Sequence, residues 1–198
     1  MSQADVAIAR AYEEHGLPVW RDAPAVYETI ARTIAYQQIS TKAAAAIWGR
    51  VVADFGEITP KAMLESEEDR LRAHGLSRPK IRHLRSIATA IRDGDLDLAR
   101  VCAASPEEAR AELLAVKGIG PWTADLFRLY AIGETDAFPT ADVGLMESYR
   151  RLSDAETRLD AKAFTVRAED WRPWRGVAAH LLWGWLNDRR VEQNNASP

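Results

Sequence analysis

Cysteine is nearly absent: Cys102 stands alone. One thiol cannot close an internal disulfide, and it cannot by itself hold an iron–sulfur cluster or a structural zinc. The four histidines, His15, His74, His83 and His180, are scattered without ligand spacing, so neither a metal centre nor a cofactor is expected. Glycine and proline are few, and no segment is low in complexity. No apolar run approaches the ~18 residues of a membrane span. The opening residues, MSQADVAIARAYEEHG, carry acids early and lack a basic-then-apolar leader, so a cytoplasmic location is expected and no membrane partner. Period-two alternation and Asn-Gly hairpin signals are also lacking, which excludes a sheet-based fold.

What remains is a chain of 198 residues, 47% hydrophobic and 28% charged, suited to one large domain or two small ones sharing a cleft. The net charge of −3 argues mildly against a polyanionic partner, but the distribution is uneven. Residues 71–92 hold Arg72, Arg78, Lys80, Arg82, Arg85 and Arg92 and no acid, while Glu65, Glu67, Glu68 and Asp69 cluster just before them. Charge alone favours a solvated helix face in a dipolar protein.

Helical periodicity dominates and predicts an all-α fold of many short helices. Residues 24–37 place Val26, Ile30, Ile34 and Gln37 at helical spacing. Ser40 or Thr41 can cap an alanine-rich helix running to Asp54, and Ser77 caps another to about Asp93. Ser105-Pro106-Glu107-Glu108 combines a cap, a first-turn proline and acids suited to a helix dipole. Further helices are predicted over about 121–132, 142–152, 160–169 and 174–188.

The most specific segment runs from Leu113 to Phe127. A helix ends near Ala115, a turn follows over Val116-Lys117-Gly118-Ile119-Gly120, and Pro121 opens the next helix. Gly118 and Gly120 can take positive φ and admit a second backbone closely. Val116 and Ile119 would pin the turn to the core. The turn then aims amide groups outward from a helix start, which suits a phosphate. An ordinary helical hairpin that needs glycine for sharpness is the plainer alternative.

Val116-Lys117-Gly118-Ile119-Gly120-Pro121-Trp122-Thr123-Ala124 resembles the hairpin of the helix–hairpin–helix (HhH-GPD) base-excision DNA glycosylase superfamily. About twenty residues on, Asp136-Ala137-Phe138-Pro139-Thr140-Ala141-Asp142-Val143-Gly144-Leu145 resembles that superfamily's glycine/proline-rich loop and aspartate. The segments 35–43, 75–80 and 171–175 are similar to the 3-methyladenine DNA glycosylase II branch, and the likeness runs from about Pro24 to Asn187. It implies a monofunctional glycosylase that flips an alkylated base out of damaged double-stranded DNA and hydrolyses its N-glycosidic bond. A glycosylase for a deaminated, oxidised or mismatched base, or a non-catalytic DNA-binding module, are the alternatives.

The resemblance makes Asp142 the catalytic carboxylate. Read without it, the spacing favours Asp142 as simply a helix N-cap, and Asp136 is its nearest rival. It implies a base pocket from Trp122, Trp183, Tyr36 and Phe138. DNA contacts are expected from Lys117, Gly118, Ile119, Gly120, Thr123, Gln37, Gln38, Ser40, Lys42, Arg78 and Lys80. Of these, Gln37 or Gln38 enters the gap left by the flipped base; simple helix capping is the alternative. A monovalent cation on the carbonyls of Val116 and Ile119 would match the family. Bifunctional relatives place a lysine where Trp122 stands, so no lyase activity is expected. Two tyrosine positions read Leu126 and Val143 here, and a third aromatic position reads Gly184. Trp20, Trp48, Trp171 and Trp185 are assigned to the core. The expected lobes are residues 28–130, which include the hairpin at 113–127, and residues 1–27 with 131–198, which carry the aspartate. The N-terminal sheet domain of longer relatives is expected to be absent, and the protein to act as a monomer in the cytoplasm or bacterial nucleoid, or in the nucleus of a eukaryote.

Overall fold

The computed structural model describes residues 5–196. Among them no strand occurs. The helices in chain order are α1 (Val6–His15), α2 (Tyr27–Tyr36), α3 (Thr41–Phe55), α4 (Pro60–Glu65), α5 (Glu68–Ala73), α6 (Arg78–Asp93), α7 (Leu98–Ala103), α8 (Pro106–Ala115), α9 (Pro121–Phe127), α10 (Val143–Leu152), α11 (Ala161–Ala168) and α12 (Arg175–Ala196). A π-helical turn, Arg128–Ile132, extends α9, and a 3-10 turn, Glu169–Trp171, follows α11. The fold is all-α, as the periodicity predicts.

The chain divides into two compact units, residues 23–132 and residues 1–22 with 133–198. In the first, α2 buries Tyr27, Ile30, Ala31, Ile34 and Ala35. α6 contributes Ile81, Leu84 and Ile87 to the same core, with Val116, Ile119 and Phe127 from the hairpin and α9. Burying each such side chain contributes about 1.5–3 kcal/mol. Local signals set the boundaries. Ser40 caps α3 by accepting the Ala43 amide, and Ser77 caps α6 through Lys80. Ser105 and Glu108 form a reciprocal capping box at α8.

In the second unit, Phe138, Phe164, Tyr149 and Trp171 pack ring against ring at centroid separations of 5.4–5.8 Å. Asp5 ties the start of α1 to this cluster. Its Oδ1 accepts the Ala7 amide, its Oδ2 accepts the Trp171 indole N–H at 2.8 Å, and Arg167 pairs with it at 2.6 Å. The sequence pattern does not predict α1, nor the short helices α4, α5 and α7, whose six residues carry too few turns for periodicity to register. Among the tryptophans read as core, Trp48, Trp171 and Trp185 are buried, whereas Trp20 is half-buried and stacks on His180.

Candidate functional site

The carboxylate at 142 sits where proline and aromatic packing stiffen the chain. Phe138 is locked into the aromatic cluster, the Asp142 amide donates to the Pro139 carbonyl, and α10 starts at the next residue. Asp142 is the N-cap of α10. Its Oδ1 accepts the Leu145 amide at 2.9 Å and the Trp183 indole N–H at 3.1 Å. Capping and a second role are therefore compatible. A capping carboxylate is held in one rotamer beside a helix N-terminus, which stabilises its charge. Gly144 contributes room, since a Cβ there would stand 3.0 Å from Asp142 Oδ1 and 3.7 Å from the Trp183 ring.

Asp136, the rival carboxylate, is engaged elsewhere. Its Oδ2 accepts from Arg172 Nη1 at 2.7 Å and Arg175 Nη2 at 2.8 Å, and its Oδ1 accepts from Arg175 Nε at 3.0 Å. This bidentate pairing fastens the 136–139 loop to the start of α12. Phe138 corrects the sequence expectation. Placed in the base pocket by resemblance, it is only 4% exposed and belongs to the aromatic core. The ring follows a buried alanine and precedes a buried proline, so its backbone points it inward.

Trp183 is half-buried beside the carboxylate. His180, one turn earlier on α12, meets it edge-on, with centroids 6.1 Å apart and planes at 76°. Trp20 stacks face to face on His180, with centroids 4.2 Å apart. Gly184 lies against His15. Any Cβ there would collide with the His15 imidazole, whose Nδ1 is 2.5 Å from Asp188 Oδ2. Val143 is 59% exposed, and Leu126 is buried.

In the unit of residues 23–132, the hairpin follows the predicted turn, with one difference. Gly118 takes φ +107, and a Cβ there would meet the Cα, Cβ and carbonyl of His83 at 3.0–3.2 Å. The close approach is thus between the turn and α6. Gly120, also expected at positive φ, is instead extended at φ −89, with nothing within 4 Å of a Cβ. Val116 and Ile119 are buried, and the Ile119 amide closes the turn on the Val116 carbonyl at 3.0 Å. A carbonyl has a second lone pair, which a monovalent cation would use. Lys117 and Gly120 are exposed. No side chain caps α9. Asp125 bridges Arg110 of α8 and Arg128 at 3.2 and 3.0 Å, fixing the two arms of the hairpin; burial raises its pKa, and the two guanidinium groups oppose that.

The two glutamines separate in role. Gln37 ends α2, and its Nε2 donates to Thr123 Oγ1 of α9 at 2.8 Å. Gln38 is exposed and takes φ +58, a left-handed conformation uncommon for a residue with a Cβ, and exposed Ile39 follows it. Tyr36 is half-buried against the core under Arg32, whose guanidinium lies 5.4 Å from the ring centroid. Ser40 and Lys42 are exposed. Lys80 points inward. Its Nζ donates to the Ala35 carbonyl at 2.8 Å, and burial lowers its pKa, so it supports the end of α2. Arg78 pairs with Glu68 at the surface at 3.3 Å. Sequence reasoning missed His180; its position three residues before Trp183, on the same face of one helix, was the available signal.

A helical body with a glycine hairpin, followed by a capping aspartate held by an indole, defines the helix–hairpin–helix class of DNA repair protein. Residues 31–174 match the HhH-GPD superfamily of base excision DNA repair proteins, and the chain belongs to that family. DNA-3-methyladenine glycosylase 1 of Schizosaccharomyces pombe is 32% identical over 162 residues, which cover 79% of this chain and 71% of that one. A probable bifunctional transcriptional activator/DNA repair enzyme AlkA of Mycobacterium tuberculosis is 33% identical over 166 residues. The chain spans 32% of the length of that relative, which 79% of this chain matches. In structure, the chain is similar to the Schizosaccharomyces pombe 3-methyladenine DNA glycosylase Mag1 solved in complex with abasic DNA. The TM-score is 0.82 at 28% identity, over 92% of each chain.

Proposed function

We propose that the protein is a monofunctional DNA glycosylase that releases alkylated purines from double-stranded DNA as a monomer, with Asp142 as its catalytic carboxylate. The observation that carries the reading is the Asp142 carboxylate, whose Oδ1 accepts from the Leu145 amide at the start of α10 and from the Trp183 indole. Cleavage of the N-glycosidic bond moves its electron pair onto the departing base and leaves positive charge on the sugar. A fixed anion stabilises that state, and water then attacks C1′ and passes a proton to the Asp142 carboxylate, which releases it to solvent. A purine alkylated at N3 or N7 already carries positive charge and leaves as a neutral base, so a paired general acid is unnecessary. Trp183, half-buried beside the carboxylate, offers a ring face suited to a cationic base by about 1–2 kcal/mol.

The hairpin at 116–120, with Lys117 exposed, suits a phosphate of the strand. Gln38, exposed at the tip between α2 and α3, suits the gap left by the extruded nucleotide, while Gln37 braces the tip through Thr123. Trp122 stands where lyases of the family carry lysine, so the reaction stops at the abasic site. The losses at Leu126, Val143 and Gly184 favour a second reading, a different lesion. Incubation with duplexes bearing 3-methyladenine, 7-methylguanine, ethenoadenine, hypoxanthine or uracil decides between them by free-base release. The expected result is release of the methylpurines without strand cleavage. Release of another base alone supports the second reading, and no release from any duplex overturns both.

A further inference from the structure

His180 has no part in the function proposed so far, yet it packs against the tryptophan that meets Asp142. It is 4% exposed. Its Nδ1 lies 2.8 Å from the Gly176 carbonyl, which can only accept, so Nδ1 carries the proton. Its Nε2 lies 3.2 Å from the Arg21 backbone N–H, which can only donate, so Nε2 is the acceptor. The ring is thus a neutral imidazole of one tautomer, gripped between Trp20 on its face and Trp183 at its edge. Trp183 in turn gives its indole N–H to Asp142 Oδ1.

We propose that His180 is a positioning residue for the catalytic carboxylate, holding the Trp183 indole in the one orientation that delivers its N–H to Asp142 and fastening that arrangement to the backbone at Trp20-Arg21. The proposal rests on the glycosylase reading for its kinetic consequence but not for its structural one. An edge contact sets the tilt of an indole whose single N–H is a narrow, directional donor. With the imidazole gone, Trp183 gains freedom about χ2, and the carboxylate loses the indole N–H as a fixed donor. Misplacement of a reacting group by about 1 Å costs up to about a hundredfold in rate. Burial lowers the His180 pKa, and the nearby charge of Arg21 acts in the same direction; both keep the neutral tautomer in place at neutral pH.

The test uses the full chain with His180→Phe, which keeps a ring but no polar atoms, and His180→Gln, whose side-chain oxygen can still accept from Arg21 N–H. Single-turnover release of 7-methylguanine is measured beside dissociation constants for the same duplex. Both variants are expected to slow release about tenfold with binding within about twofold, Phe by losing the fastening to Gly176 and Arg21 and Gln by losing the ring edge that tilts Trp183. Nitrogen-15 spectra of the wild-type protein are expected to show His180 as the Nδ1–H tautomer, and the Trp183 indole proton is expected to move upfield in the Phe variant. A Phe variant that releases base at the wild-type rate, an Nε2–H tautomer, or an unmoved indole resonance overturns the proposal. If the wild-type protein releases no base, the glycosylase reading fails by itself, and the two spectroscopic results still judge the His180–Trp183–Asp142 arrangement. A Phe variant that does not fold leaves the tautomer measurement on the wild-type protein to decide.

Discussion

Replacing Asp142 by asparagine removes one negative charge and keeps the side chain's size and an accepting oxygen. Leu145 N–H at 2.9 Å and Trp183 Nε1–H at 3.1 Å both meet Oδ1, and an asparagine amide oxygen can accept both. Asparagine and aspartate are also equivalent N-caps, so α10 keeps its start, and the melting temperature should stay within about 2 °C. The loss falls on charge stabilisation. A unit charge about 4 Å from a developing sugar cation, at an effective dielectric near 20, contributes about 4 kcal/mol. This corresponds to about a thousandfold in rate, the upper end of the range of about 10²–10³ found when one preorganised group is removed from other enzymes. The assay is single-turnover release of 7-methylguanine from a duplex, beside fluorescence-anisotropy binding to the same duplex. The expected result is a rate at least a hundredfold lower with affinity changed less than about threefold. Asp142→Asn protein that folds, binds and still releases base within tenfold of the wild-type rate would refute the assignment.

Two further outcomes follow from local geometry. Gly118→Ala must place a Cβ at φ +107 and about 3 Å from His83, whereas Gly120→Ala enters extended backbone with open space. The first should lower the melting temperature by about 4–8 °C and the second by under about 1 °C, and equal losses would show that the close approach of the hairpin to α6 is misplaced. Glu147 pairs with Arg150 and Arg151, whose hydrogen bonds pull its pKa from the ordinary 4.5 to about 2. A carboxylate with a depressed folded-state pKa stabilises the fold above its unfolded pKa and loses that contribution as pH falls toward the folded value. Thermal melts of wild-type and Glu147→Gln protein should therefore differ most near pH 7 and converge from about pH 4.5 down to pH 2; a gap that does not change with pH would assign the difference to packing.

Much of the architecture was legible because it is written locally. The caps at Ser40, Ser77 and Ser105, the proline at the start of α9 and the apolar faces of α2 and α6 act over one or two turns, and sequence spacing reports them directly. The hairpin was also legible, since Val116 and Ile119 bracket Gly118 in a pattern with few other uses. Helices of six residues were not, because so few turns show no period.

By itself the sequence determined an all-helical chain, a glycine hairpin of the HhH-GPD type and an aspartate twenty residues beyond it. Only the tertiary structure decided which side chains those elements bring together. It placed Phe138 in a core, turned Lys80 inward to a carbonyl of α2, set Gln37 against Thr123 while leaving Gln38 exposed, and joined Trp20, His180, Trp183 and Asp142 in one line. Residues 20 and 183 are far apart in the chain, and no local period encodes their meeting. The physical reason is that capping and helix propensity act between neighbours along the backbone, whereas the direction of an indole N–H or an ammonium group depends on packing against residues that only the folded chain brings near.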